Sequence, residues 1–401
     1  MYRSVFGVLL LVLFTFSTGL LTAQVREGGV ITKSSDAVIP ISITADTPGS
    51  KRLAQMAFSA HGRYRVESNE RRASYVFKFS VVAPTAVKID IVSGRPAKLL
   101  YSETVVGSSI RNAIFKACDR AVEKTSGLPG FFSGKLAFIS ERTGSKEVYT
   151  SDLFFGSVLQ QTNDHSESVM PRWSPDGSKI IYTGYFENGF PDIHEIDTNL
   201  RRRERFVSLK GTNSSASYSP DGRRVAMILT GEGNPEVYVA NATGRRQIKR
   251  LTRSSSIEAT PSWSPNGDQL VLTSDLAGKP KLYLISVRGG SMRRIPTAIS
   301  GYCAEPDWNP ANPDLVSFTV ASMKGFQIAV YSFSERKSRV ITQGSSDGIE
   351  SSWTNDGRHL VYTSRRKGSS QIFLLDTETG KTTLLSPPNL GKVFQADFLK
   401  R

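Results

Sequence analysis

The sequence predicts a small α/β N-terminal domain followed by an all-β six-bladed β-propeller. Three observations carry that expectation. Trp173, Tyr218, Trp263, Trp308, Trp353 and Phe398 stand 45 residues apart, and all four tryptophans of the chain fall on this register. From Gly134 onward no helical period occurs, and each 45-residue unit repeats one order of short apolar runs and turns. Ahead of the repeats, helical and alternating segments are mixed. A period of about 40 to 50 residues with four strands per unit is the mark of a propeller blade, and six phases imply six blades.

The bulk numbers fit. Of 401 residues, 39% are hydrophobic and 22% charged, too apolar and too patterned for a disordered chain. The net charge of +15 favours acidic partners or anionic surfaces and says little about fold. Cys118 and Cys303 are the only cysteines, which excludes a disulfide framework; both read as buried, unpaired thiols.

The chain opens with Arg3, an apolar run from Val5 to Leu21 and a small residue at Ala23. This is the layout of a signal peptide over residues 1–23, with cleavage between Ala23 and Gln24. The alternative is an uncleaved anchor, but Gly7, Gly19 and several hydroxyl residues dilute the run. No cysteine follows it to take a lipid, and no other segment is long and apolar enough to span a bilayer. The expectation is an exported, soluble monomer without stable membrane insertion.

Residues 24–130 are expected to form the α/β domain. VIPISITA (Val38 to Ala45) reads as a strand and SKRLAQMAFSAH (Ser50 to His61) as a short helix. YVFKFSVV, AVKIDIVS and AKLLYSETVV alternate apolar with polar, as half-buried strands do. Ser108 is placed to cap a helix lined by Ile110, Ile114, Ala117, Cys118, Ala121 and Val122, and Gly127 to stop it.

Residues 131–401 are expected to form the propeller. Each unit has an aromatic strand, a turn such as SPDG, an apolar strand, a Gly-containing loop and a third strand, then a basic fourth strand. In the first turn Pro175 suits the second position, Asp176 the third, and Gly177 the left-handed conformation that follows. KLAFIS and EVYTSD open the region as second and third strands with no first strand before them, and VFQADFLKR closes it as a first strand with nothing after. Val393 to Leu399 is therefore expected to supply the inner strand of the blade built by residues 135–162, closing the ring and removing its exposed edges.

The SPDG-type turns, the six repeats in permuted order, the preceding α/β domain and the junction TSGLPGFFSGKLAFIS (Thr125 to Ser140) resemble the TolB family, the periplasmic propeller proteins of the Tol–Pal envelope system. The resemblance covers most of the mature chain. It implies a non-enzymatic binding hub in the periplasm that binds the lipoprotein Pal through the propeller and supports outer-membrane integrity and constriction at division. It also implies contact with TolA through the segment after the signal peptide, here Gln24 to Asp36. That segment is Gly-rich and carries both charges, and the N-terminal domain is shortened after its first helix; both depart from the family pattern.

The residues themselves offer little chemistry. There is no G-x-S-x-G elbow, no Walker or dinucleotide fingerprint and no EF-hand loop. His61, His165, His194 and His359 are scattered without the spacing of a zinc site, and no catalytic residue, metal or cofactor is expected. Glu167, Glu258, Glu305, Asp347 and Glu350 fall in or beside loops that meet on one face of the disc. There they would form a negative patch for a basic partner or a cation, or else stand as ordinary solvated carboxylates. Tyr185, Phe186 and Phe190 flank one such loop as candidate interface anchors, or as packing for the N-terminal domain. The basic runs Arg201 to Arg205, Arg245–Arg246, Lys249–Arg250, Arg293–Arg294 and Arg365–Arg366 are read as protection of outer strand edges, and no nucleic acid is expected. Two other readings stand beside the hub: direct binding of glycan or cell-wall polymer, and a hydrolase or lyase using an acid pair in the channel.

Overall fold

A computed structural model describes residues 38–93, 97–187, 189–243 and 247–400. The signal segment with its Ala23–Gln24 junction, residues 24–36 and the Arg245–Arg246 pair lie outside the described residues.

The N-terminal part begins with β1 (Ile39–Ala45), which is buried from Ile41 through Ser42 to Ile43 and sets both isoleucines in the core. Helix α1 (Pro48–Ala60) follows. Thr47 caps it by accepting the Ser50 N–H at 3.1 Å, and Pro48 fills the first position, where its missing N–H costs nothing. After β2 (Tyr64–Val66), the strands β3 (Tyr75–Ala83), β4 (Ala86–Ser93) and β5 (Lys98–Val106) complete a mixed sheet in the order β2-β1-β3-β4-β5, with β1 parallel to both its neighbours. Helix α2 (Ile110–Ser126) is capped by Ser109, one residue later than the sequence suggests; the Ser108 N–H instead donates to Asn112 Oδ1 at 3.1 Å. Gly127 ends the helix at φ 72°, as expected for a left-handed stop.

Six four-stranded blades follow. Blade 1 spans residues 168–207, blade 2 213–250, blade 3 258–294, blade 4 303–340 and blade 5 347–384. Blade 6 is assembled from both ends: its inner strand Val393–Phe398 pairs antiparallel with Lys135–Ser140, ahead of two further strands from residues 147–160. The ring closure read from the sequence is the one observed. Each repeat aromatic ends an inner strand and, where it is Trp, wedges between its own blade and the preceding one. Trp353 is fully buried among Leu360, Leu375, Ile328 and Val330. Truncating such a side chain to Ala costs about 3–5 kcal/mol. The SPDG turn behaves as predicted, with the Gly177 N–H donating to Ser174 O at 2.9 Å and Gly177 at φ 71°.

The N-terminal part sits against the inner-turn side of blades 5 and 6 and shares one hydrophobic core with them. Phe131 and Phe132 bridge Phe58 and Phe77 to Val361, Leu374, Val393 and Phe398. Arg111 clamps Asp152 with two bonds of 3.0 and 3.1 Å, and Gly62 N–H donates to Asp376 Oδ2 at 3.0 Å. Both cysteines are buried and unpaired.

Candidate functional site

Strand direction gives the disc two unlike faces. The turns after the inner strands and those joining third to fourth strands lie on the side covered in part by the N-terminal sheet and helices. Loops joining second to third strands, and fourth strands to the next blade, lie on the opposite, open face. Between the faces runs the central channel.

Two rings of side chains, each at the 45-residue spacing, line that channel. Met170, Ser215, Thr260, Glu305, Glu350 and Gln395 all adopt positive φ, between 46° and 56°, where the inner strands shift register. A non-glycine residue there is strained, and six in register are held by their neighbours. Glu305 Oε2 accepts the Glu350 N–H at 3.2 Å, Glu350 Oε2 accepts the Gln395 N–H at 3.2 Å, and Gln395 Oε1 accepts the Met170 N–H at 2.8 Å. Two residues further on, side chains hold the aromatic of the next blade: Asp307 accepts the Trp353 N–H at 2.9 Å, Ser352 the Phe398 N–H at 3.2 Å, and Asp397 the Trp173 N–H at 2.8 Å. The sequence signal for both rings was available in positions three before and one before each repeat aromatic.

The five acids do not form the exposed negative patch expected of them. Glu305 and Glu350 are ring members inside the channel. Burial, then the neighbouring Glu305, pushes Glu350 up to about 7. The cavity beside this pair holds about 60 Å3, room for a few waters. Glu258 is fully buried and accepts from Ser256 Oγ at 2.7 Å and Ser274 Oγ at 2.9 Å, so it braces a loop from within. Only Glu167 and Asp347 reach the open face, and each is neutralised there, by Lys146 at 2.8 Å and Arg365 at 3.0 Å.

Phe186 lies under the Arg203 guanidinium at 4.0 Å and against His194 at 4.6 Å, on its own blade rather than on the N-terminal domain. Tyr185 is half-buried beside it, and Phe190 is 66% exposed. Phe190 belongs to a wider arc that sequence reading missed. Leu209, Ile257, Leu276 and Met323 also stand exposed on loops of the open face, around blades 1 to 4. The mouth sector beside blades 5 and 6 is a cavity of about 710 Å3 edged by basic side chains. Arg365 and Arg366 line this mouth; they are not on a rim strand, whereas Arg202 to Val207, Lys249–Arg250 and Arg293–Arg294 do form outermost strands.

The histidines are not all scattered. His61 from the end of α1 and His359 from blade 5 meet edge to face with ring centres 4.4 Å apart, both fully buried. His359 Nδ1 bonds Asp356 at 2.6 Å and its Nε2 lies 3.2 Å from Asp376, which also accepts from Arg358 Nε at 2.9 Å. Burial opposes charging His359, but Asp356 and then Asp376 outweigh it and raise its pKa to about 9. Burial and the His359 charge hold His61 well below its usual value. Ligand atoms of His61, Asp356 and His359 lie within 4.8 Å of one another. The donor set nonetheless suits a proton better than a metal. Both His359 nitrogens already face carboxylates, and two carboxylates balance His359 and Arg358 without an added ion.

A protein-family model described as the TolB beta propeller domain matches residues 122–348. Among curated proteins, the chain is 34% identical over 144 residues to the Tol-Pal system protein TolB of Desulfosudis oleivorans, covering 36% of this chain and 32% of that protein. It is 31% identical over 173 residues to the protein TolB homolog of Chlorobaculum tepidum, covering 40% and 39%. These matches thus span about a third to two fifths of the relatives' length. Among solved structures, TolB from Acinetobacter baumannii superposes with a TM-score of 0.82 over 91% of this chain and 98% of that one, at 22% identity, a likeness of fold.

Proposed function

The chain belongs to the TolB β-propeller domain family, and on that premise we propose that it is an exported, periplasmic component of a Tol–Pal type envelope system, acting as a non-catalytic hub that binds a Pal-like lipoprotein. The observation that supports this most is the open face. It is clear of the N-terminal domain, rigidly framed by six blades, and carries the exposed arc Leu209, Ile257, Leu276 and Met323 with Phe190. Exposed apolar side chains grouped on one rigid face are what a protein partner covers. Among the described residues no helix is long and apolar enough to cross a membrane. The acid pair of the channel supports binding architecture more than catalysis, because both carboxylates hold backbone N–H groups and the space beside them admits water but no sugar ring or peptide. Contact with TolA through residues 24–36 and a role in outer-membrane integrity and division belong to the same proposal.

The test is calorimetric titration of the protein with the delipidated Pal-like lipoprotein of its own organism, repeated with Ile257→Asp/Met323→Asp. Saturable binding that weakens about tenfold or more in the double variant supports the reading, since buried anchors carry most of an interface's energy. Absence of binding to the unaltered protein removes it.

A further inference from the structure

The sequence suggested an acidic face for a basic partner; the charges at the open mouth have the opposite balance. Five cationic side chains edge the cavity beside blades 5 and 6: Lys146, Arg365, Arg366, Lys367 and Lys392. The acids on its wall are Glu141, Asp347 and Glu350. Two of these are already paired, Glu141 with Lys392 at 2.9 Å and Asp347 with Arg365 at 3.0 Å, and Lys146 is paired with Glu167 at 2.8 Å. Glu350 lies deeper, and burial with Glu305 beside it lifts its carboxyl to about 7, so it carries only part of a negative charge near neutral pH. Arg366 and Lys367, at the tip of the hairpin between Arg366 and Ser369, have no partner among the described residues and are exposed. The uncompensated positive charge of this mouth is therefore that of Arg366 and Lys367 on one hairpin tip, within a chain at +15.

We propose that the protein partner presents an acidic segment that enters this basic mouth while an apolar surface of the same partner seats on the arc from Leu209 to Met323. The inference rests on the hub reading and adds the partner's chemistry to it. Clefts lined by one sign of charge focus the field and raise the encounter rate of an oppositely charged segment, and charge complementarity fixes its register. A peptide fits better than an anionic glycan because the basic sector and the apolar arc share one face, and a carboxylate-rich polysaccharide has nothing apolar to set against Ile257, Leu276 and Met323. The cavity, at about 710 Å3, has room for several residues of an extended chain.

The probe is a fluorescein-labelled octaglutamate peptide, read by anisotropy against the intact protein at low and physiological salt. The variants are Arg366→Glu/Lys367→Glu at the mouth and, as an equal charge change at the rim, Arg293→Glu/Arg294→Glu. Both pairs are exposed, so neither threatens the fold. Expected is salt-sensitive binding that falls about tenfold or more in the mouth variant and stays within about twofold in the rim variant. Equal loss in both, no loss in the mouth variant, or preference for a uronate oligosaccharide over the peptide overturns the inference. The calorimetric titration separates the two readings. If the lipoprotein binds the protein and the mouth variant equally, the acidic-segment inference fails alone. If octaglutamate binds as expected and the lipoprotein does not bind at all, the choice of partner fails and the mouth's chemistry stands.

Discussion

Asp376→Asn tests whether the buried cluster between α1 and blade 5 is an electrostatic lock. Asp376 accepts Gly62 N–H at 3.0 Å, Arg358 Nε at 2.9 Å, and the Glu378 and Thr379 amides at 3.0 and 3.1 Å, and it faces His359 Nε2 at 3.2 Å. Raising His359 from 6.5 to about 9 corresponds to about 3 kcal/mol of favourable interaction in the folded state. Asp356 supplies the larger part, leaving on the order of 1 kcal/mol to Asp376. The charged bond to Arg358 adds about 1.5–3 kcal/mol. The expected deficit near pH 7 is thus about 3–4 kcal/mol, in line with other buried pairs broken from one side. A raised pKa gives stability that is complete below 6.5 and disappears as pH climbs through about 9. The His359 share of the deficit therefore vanishes above that point, and variant and parent converge by on the order of 1 kcal/mol. The assay is hydrogen exchange at the Gly62 and Thr379 amides. Exchange about two hundred- to eight hundredfold faster in the variant at pH 7 matches that deficit. Unchanged protection at both amides, or a deficit that does not narrow between pH 7 and 10, refutes the reasoning.

Three further outcomes are expected. Removing residues 393–400 takes the inner strand from blade 6 and with it buried Val393, Ala396, Phe398 and Leu399, so cooperative thermal unfolding of the whole propeller should be lost, where a frayed tail would leave it intact. Glu350→Gln should raise stability above pH 7 by up to about 3 kcal/mol, because a carboxyl lifted from 4.5 to about 7 costs folded-state stability as pH rises through that interval; urea titrations at pH 5 and 8 would show the gain only at the higher pH. Ser215→Gly should gain about 0.5–1 kcal/mol in the same titrations by relieving a serine held at φ 54°, net of glycine's greater chain entropy.

Much of the fold was legible because a repeat averages over its own noise. No single SPDG turn identifies a blade, but six aromatics in step, with Gly177 in a turn that needs positive φ, leave few alternatives. The ring closure was legible for a different reason: an unpaired inner strand at one end and a blade lacking one at the other have a single tidy solution. The candidate site was less legible, because sequence shows that an acid lies near a loop and not which way it points. Glu258 and Glu305 lie on the inner strands of neighbouring blades, at the first and third positions, and the strand's two-residue period, offset by the register shift, keeps both off the open face. His61 and His359 met only through the docking of two elements far apart in the chain, and no local spacing records such an encounter. The apolar arc escaped notice because Leu209, Ile257, Leu276 and Met323 occupy unequal positions in their loops.

The closure of blade 6 also sets an order in time. Glu141 and its partner Lys392 are 251 positions apart, so the strand Lys135–Ser140 is made long before the strand that completes its sheet. Chains with such distant pairings fold slowly, because the loop entropy is lost before the contact is gained. Until the last residues emerge, one edge of that strand and the core beneath Phe131 and Phe132 stay open to pairing with other chains. The protein becomes a propeller all at once and late, so the interval before closure, rather than the finished ring, is where a cell would have to guard it.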